Sequence, residues 1–262
     1  GEKLTASVIL GTFNRADLLR RALQSLVQQS AEAITFEVIV IDDGSNDNTQ
    51  EILKEYTQKH SNIKICRNEK NQGFSAARKL GLAASVGQYI LFVDDDCIAC
   101  KNWVEKMCSC LAVHPVVSGA ISSPKRSGVL LSHNIAHFHP FMPGRKSGPI
   151  DFMAGANMGF QRKVLEELQG FDASKPLASD THICLKARSA GYDPFFTSEA
   201  VVVHDPNYIS LRGAVRSAYT HAATTILLRH EFSSLLGTPF FLKSPFLLRL
   251  FSPLIALGVT SR

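Results

Sequence analysis

Along the first hundred residues, short apolar runs alternate with stretches whose apolar positions recur every three or four residues. Residues 6–10 (ASVIL) pass through Gly11-Thr12-Phe13-Asn14-Arg15 into Leu18, Leu19, Ala22, Leu23, Leu26 and Val27, which predicts strand, loop and amphipathic helix. Residues 36–41 (FEVIVI) predict a second strand, which ends in Asp42-Asp43-Gly44-Ser45 and gives way to a helix over 49–59. A third strand at 62–66, a third helix at 74–84 and a fourth strand at 89–93 (YILFV) follow, and the last stops at Asp94-Asp95-Asp96. Strands alternating with helices of this length predict βαβ units with right-handed crossovers in a mainly parallel sheet. Ligands of such sheets sit beyond the carboxyl ends of the strands, which is where the loop at 12–15 and both acidic clusters fall.

After Trp103 the alternation weakens. The pattern predicts a helix to about Leu111 and a strand at 116–121, and the Pro-, Gly- and His-rich stretch 122–149 reads as a long loop over the sheet edge. Residues 151–160 (DFMAGANMGF) are rich in small side chains and lead into a short helix near 163–168, closed by Gly170-Phe171-Asp172. A helix over 179–190 and a strand at 200–203 ending at His204 complete the pattern, with no internal repeat. The expected architecture is one α/β domain over 1–230 with an elaborated second half, followed by a basic, apolar tail over 231–262.

Composition narrows the picture. With 262 residues, 45% hydrophobic and 19% charged, the chain has the makings of an ordinary folded core, which excludes disordered and collagen-like classes. The net charge of +5 is modest and no dense basic run is interleaved with aromatics, so nucleic acid is not an expected partner. From Val201 onward stand six basic residues (Arg212, Arg216, Arg229, Lys243, Arg249, Arg262) and two acids (Asp205, Glu231), so this end carries +4 and the rest is near neutral. The uncharged run 250–261 is shorter than the ~20 residues of a spanning helix and contains Pro253, so an interfacial attachment to a membrane is expected. A core-packing extension and a truncated spanning helix are the alternatives.

Six scattered cysteines lack the density of a secreted scaffold and point to a reducing compartment. The first strand begins almost at once, so no signal peptide is expected. Together these predict a cytoplasmic protein, peripheral on the inner face of a membrane. Cys97-x-x-Cys100 with Cys108-x-Cys110 has a superficial zinc pattern, but alternate residues on a helix diverge, which argues against it.

Three consecutive carboxylates at Asp94-Asp95-Asp96 repel one another unless a cation or hydrogen-bond donors neutralise them. Mg²⁺ or Mn²⁺ is the usual remedy and brings a phosphate partner with it; a solvated acidic loop is the alternative. Asp42-Asp43-Gly44-Ser45 offers carboxylates to the donors of a base or ribose, or simply makes a turn before a helix that Asp47 and Thr49 start. Asn71-Gln72-Gly73 opens a helix in which Arg78, one turn in, can reach a phosphate or a buried acid.

In this order and at these strand ends, the four segments resemble the family 2 glycosyltransferases of the GT-A fold. Gly155-Ala156-Asn157, Gly170-Phe171-Asp172, Asp180 and His204 extend the resemblance, which covers approximately 7–206. It implies that Thr12, Asn14, Arg15 and Asp43 hold the nucleotide, that Gly73 and Arg78 shape the donor side, and that Asp94 and Asp95 face ribose and sugar. Asp96 would ligate the metal, joined by His204 as in some members; alternatively His204 is a polar residue ending a strand. Asp180 corresponds to the catalytic base, although many relatives have two consecutive acids where this chain has Ser179-Asp180; the alternative is a helix-start acid. Residues 1–100 would then be the nucleotide-sugar half and 101–230 the acceptor half.

The implied activity is inverting, Mn²⁺- or Mg²⁺-dependent transfer from a nucleotide-sugar, UDP-sugars first, to a hydroxyl of a glycan or lipid-linked acceptor, in glycan, polysaccharide or glycolipid synthesis. A catalytically silent GT-A-like nucleotide-binding or scaffold module is the rival reading. A phosphoacceptor receiver-like domain is disfavoured by the chain length and the lack of a matching strand-end lysine.

Overall fold

The structure, a computed structural model, describes residues 4–30, 34–124, 128–174, 179–206, 210–215, 219, 228–229 and 231–237. Two compact units divide the chain, Gly1–Ala214 and Val215–Arg262. The expected tail over 231–262 lies, beyond 237, outside the described residues. Among the described residues no helix is long and apolar enough to cross a membrane.

The first unit starts with β1 (Ala6–Thr12), α1 (Ala16–Val27), β2 (Phe36–Asp42), α2 (Thr49–Lys59), β3 (Ile63–Arg67), α3 (Phe74–Ala84) and β4 (Tyr89–Val93), the alternation that the apolar pattern predicts. There follow β5 (Cys97–Ala99), α4 (Trp103–Leu111), β6 (Val116–Ser122), α5 (Val129–Phe138), β7 (Gly148–Pro149), β8 (Asn157–Gln161), α6 (Arg162–Glu167), α7 (Ser179–Ser189) and β9 (Phe195–His204). One sheet holds the strands in the order β3-β2-β1-β4-β8-β6-β9-β5, with β7 also on β9. Its first four strands are parallel. β8 runs antiparallel between β4 and β6, β9 lies parallel to β6, and β5 and β7 run antiparallel to β9.

Alternate residues of each strand face opposite sides, so the unbroken apolar runs of β1, β2 and β4 feed two cores. Val8, Leu10, Val38, Val40, Leu91 and Val93 pack with Leu19, Leu23, Leu53, Trp103 and Met107 of α1, α2 and α4. On the other side Ile9, Ile39, Ile41, Ile90 and Phe92 pack with Ala77, Val164, Leu165 and Ile183 of α3, α6 and α7. The result is helix, sheet, helix in three layers, with the polar loops left along one edge.

One expectation needs correction, and one strand had no counterpart in the sequence reading. The stretch 122–149 is not a continuous loop, because it contains α5 and a short 3₁₀ turn at His139–Phe141. Its flanking Pro and Gly residues obscure ten residues of ordinary helical sequence. The segment 151–160 holds β8, a central strand for which Asn157 and Gly159 give little local propensity. Tertiary contacts make up the difference. A Cβ at Gly159 would come within 2.9–3.0 Å of the side-chain tips of Met107, Leu111 and Leu91, which would have to shift to make room for it.

Candidate active site

The candidate site is built where β1, β2 and β4 end. Asp43 N donates to the carbonyl of Thr12 at 2.9 Å, which ties the ends of β1 and β2 together. Asn14 adopts a left-handed backbone (φ 53°), which Asn tolerates better than most residues. Its N–H donates to Ser45 Oγ at 2.9 Å, and its Oδ1 accepts from Asn46 N at 2.7 Å, so Asn14 clamps the two loops to each other. Asp47 accepts from Ala16 N and from Thr49 N and Oγ1, and thereby joins the starts of α1 and α2.

Asp43 is buried, and its carboxylate accepts from Asn68 Nδ2 at 2.7 Å, Gln72 N at 3.0 Å and Gly73 N at 2.8 Å. It therefore sets the turn that starts α3, where Gly73 takes a φ of +85° that favours glycine. A cavity of about 380 Å³ opens beside this turn, lined among others by Thr12, Arg15, Asp43, Gly73, Phe74 and Asp95.

Each acid of the triplet faces an arginine, Asp95 and Asp96 sharing one. Thr12 Oγ1 donates to Asp95 Oδ2 at 2.8 Å, and Arg15 Nη1 donates to Asp95 Oδ1 at 2.6 Å. The same Arg15 nitrogen lies 3.2 Å from Asp96 Oδ2. Arg78 Nη2 lies 3.3 Å from Asp94 Oδ1, while the guanidinium also donates to Ser179 Oγ at 2.7 Å and to the Gly155 carbonyl at 3.1 Å. Burial pushes Asp95 up to about 7, with Arg15 pulling it down and Asp96 adding to the rise. Burial likewise raises Asp94, against the pull of Arg78. The cluster thus carries more negative charge than its two arginines offset comfortably.

Asp180 stands in the first turn of α7, where Oδ2 accepts from Gly155 N at 2.9 Å and Oδ1 from Thr181 N at 2.8 Å. A Cβ at Gly155 would lie 2.6 Å from Arg78 Nη2 and 3.0 Å from Asp180 Oδ2. The bare glycine backbone thus lets Asp94, Arg78 and Asp180 meet. His204, the last residue of β9, brings Nε2 to 3.6 Å from Asp96 Oδ1. Residues from β1, β2, α3, β4, α7 and β9 therefore converge on one edge. Asn68 is a partner that the sequence did not mark, and Ser179 stood out only as the neighbour of Asp180, because a hydrogen bond across tens of residues leaves no local pattern.

Residues 7–169 match the model of a family described as Glycosyl transferase family 2, more than half of the chain. The chain belongs to glycosyl transferase family 2. A second model, Glycosyl transferase family group 2, matches residues 89–258. Glycosyltransferase AglE of Haloferax volcanii is 26% identical over 200 residues, covering 76% of this chain and 66% of that protein. The uncharacterized glycosyltransferase YibD of Escherichia coli is 38% identical over 90 residues, 34% of this chain and 25% of YibD. The chain thus spans between a quarter and two thirds of these relatives. Among solved structures, the mannosyltransferase PcManGT from Pyrobaculum calidifontis, in complex with GDP-Man and Mn²⁺, aligns with a TM-score of 0.69 at 20% identity, over 94% of this chain and 67% of that one. S. aureus TarS 1-349 in complex with UDP-GlcNAc aligns with a TM-score of 0.61 at 22% identity, over 79% and 62%. These likenesses establish the GT-A fold for this family 2 chain.

The carboxylate and imidazole at this edge suit a divalent cation that accepts both oxygen and nitrogen ligands. No three His, Cys, Asp or Glu residues converge as a metal group among the described residues. Of the carboxylates on this edge, Asp96 is the one that faces an imidazole, that of His204. Such a pair suits an ion that takes one or two protein ligands and completes its shell with phosphate oxygens and water, as Mg²⁺ and Mn²⁺ do. A closed structural zinc site would need four protein ligands.

Proposed function

We propose that this chain transfers a glycosyl group from a nucleotide-sugar to an acceptor hydroxyl with inversion, assisted by Mn²⁺ or Mg²⁺. The observation that carries this reading is the convergence of the Asp94-Asp95-Asp96 cluster, Arg15, His204 and Asp180 on one edge beside the 380 Å³ cavity. Thr12 and Arg15 line the cavity with polar groups suited to a nucleotide diphosphate, and Asp43 holds the turn that forms its floor. Asp96 and His204 would hold the cation, which supplies positive charge to a departing diphosphate. The acceptor oxygen bonds to the anomeric carbon as the bond from that carbon to the phosphate oxygen breaks, and Asp180 takes the hydroxyl proton. Arg78 stays on Asp94, Ser179 and the Gly155 carbonyl and orients the acids on either side of the reaction. Most of the acceleration in such a scheme comes from positioning and fixed charge.

Donor complexes of PcManGT with GDP-Man and of TarS with UDP-GlcNAc support the nucleotide-sugar class, with UDP-sugars our first choice and a glycan or lipid-linked hydroxyl as the acceptor. The basic, apolar sequence of 231–262 supports peripheral attachment at a cytoplasmic membrane face. Thermal unfolding in the presence of UDP-, GDP- and dTDP-sugars, each with and without Mn²⁺, tests the donor assignment. One nucleotide class is expected to raise the midpoint, more strongly with metal, since a ligand of the native state alone stabilises it. If no nucleotide-sugar shifts the midpoint with or without Mn²⁺, the reading is wrong.

A further inference from the structure

Behind His204 lies α5, in the stretch whose sequence reads as a loop. Asn134 of this helix is 1% exposed. Its Nδ2 donates to the His204 backbone carbonyl at 2.9 Å and to Ser123 Oγ at 3.0 Å, and its Oδ1 lies 2.8 Å from His204 Nδ1. One turn along the same helix face, Phe138 sets its ring against the imidazole, with centroids 4.9 Å apart and planes at 65°. The backbone beyond is pinned as well, since Asp205 N donates to the Asp96 carbonyl at 2.8 Å.

These contacts determine where the imidazole proton sits. A peptide carbonyl only accepts hydrogen bonds, so the end of the amide that faces His204 O is the NH₂ group. Oδ1, which also only accepts, is left against Nδ1, and Nδ1 must therefore carry a hydrogen. In the neutral ring the other nitrogen then holds a lone pair, and Nε2 is the atom 3.6 Å from Asp96 Oδ1. Two electron-rich atoms facing each other at this distance leave a place that a cation stabilises.

We propose that Asn134 is a positioning residue that fixes His204 in the Nδ1–H tautomer and aims Nε2 at a divalent cation shared with Asp96. The metal half of this statement rests on the proposed function; the tautomer does not. Outer partners of metal-bound histidines typically change metal affinity 10- to 100-fold when replaced.

The imidazole ¹⁵N spectrum of the full chain, without metal and at about pH 9, well above the ordinary imidazole pKa of about 6.5, reads the tautomer directly. The His204 signals are those missing from a His204→Gln spectrum. Wild type is expected to show a protonated Nδ1 and an unprotonated Nε2; the reverse pattern overturns the proposal without any other variant. Asn134→Leu, close in size but without hydrogen bonds, should mix the two tautomers and weaken Mn²⁺ binding in the presence of UDP by 10- to 100-fold, followed by the EPR signal of free Mn²⁺. Asn134→Asp keeps the acceptor facing Nδ1, and should keep the wild-type tautomer and Mn²⁺ affinity within a few-fold, even if its melting temperature falls. A role confined to packing would move Mn²⁺ affinity with stability in both variants, and that result also overturns the proposal. Failure of wild type to bind Mn²⁺ with any nucleotide would remove the metal assignment and leave the tautomer to be judged on the spectrum alone.

Discussion

Both oxygens of Asp180 accept backbone hydrogen bonds, one from Gly155 and one from Thr181, yet the side chain is only partly buried and keeps lone pairs for a further proton. Asp180→Asn separates these two duties. The carboxamide has one acceptor oxygen where the carboxylate has two, so one backbone bond is lost, at a cost of about 1–3 kcal/mol in unfolding free energy. Loss of the base should lower kcat with saturating donor and acceptor by roughly 10²–10⁴-fold, with donor affinity little changed. A kcat within a few-fold of wild type would show Asp180 to be a helix-start acid only, with Asp151 and Asp172 the next acids to replace. At this scale the polar and charged residues at strand ends were legible, since Thr12, Arg15, Asp43, Asp94, Asp95 and Asp96 stand beside apolar runs that announce a sheet edge. Their distances were not. That Arg15 answers two acids while Arg78 answers the third and also holds Ser179, and that Asn134 stands behind His204, depends on chain segments up to 101 residues apart.

Between elements, two buried polar side chains carry much of the stitching. Asn157 on β8, with no exposed surface, accepts from Trp103 Nε1 at 2.9 Å and donates to the carbonyls of Ala120 and Ala200, both at 2.9 Å. It lies beside the register shift between Gly119 and Ala120, across which β6 and β9 stay paired, and so joins α4, β6, β8 and β9. Asn157→Leu leaves an indole N–H and two carbonyls unpaired, and should lower unfolding free energy in urea by about 3 kcal/mol or more. A loss under 1 kcal/mol would mean that water replaces the amide. Glu37 on β2, 2% exposed, accepts from Ser7 Oγ at 2.6 Å and Val86 N at 2.9 Å and pairs with Lys64 at 2.7 Å. Burial alone would raise its pKa, but the bonds from Lys64, Ser7 and Val86 outweigh this and hold it below the ordinary value of 4.5. The stability it adds is therefore complete above pH 4.5 and lost as pH falls through the lower folded value. Urea unfolding should show Glu37→Gln less stable than wild type by about 1–2 kcal/mol at pH 7, with the gap shrinking below pH 4.5; a gap that widens in acid would contradict the assignment. Strand–helix alternation was readable through β4, because parallel strands buried on both faces need continuous apolar runs. β8 was not, because its Asn157 and Gly159 answer to contacts with other elements rather than to strand propensity.

The whole molecule divides its charge unevenly, with +4 of the formal +5 located from Val201 onward. The body before Val201 was therefore legible as near neutral, whereas the antiparallel insertion of β8 between β4 and β6 was not, since strand order depends on long-range pairing. The uneven charge bears on where the acceptor is met. Residues 232–260 are mostly Phe, Leu, Ile and Pro with Lys243 and Arg249 among them, a composition suited to lying at the interface of an anionic bilayer. Attraction of each basic residue to such a surface is worth about 1 kcal/mol and decays within a Debye length, so binding should weaken with salt while the apolar share persists. The full chain should float with vesicles containing anionic lipid, float less in high salt, and stay at the bottom of the gradient once 245–262 are deleted. Donor-induced thermal shifts should be the same in both forms, since Thr12, Arg15, Asp43 and Asp94 to Asp96 lie far from the deletion in sequence. Equal flotation of the two forms, or flotation of neither, would place membrane attachment elsewhere or nowhere, and a soluble acceptor would become the better expectation.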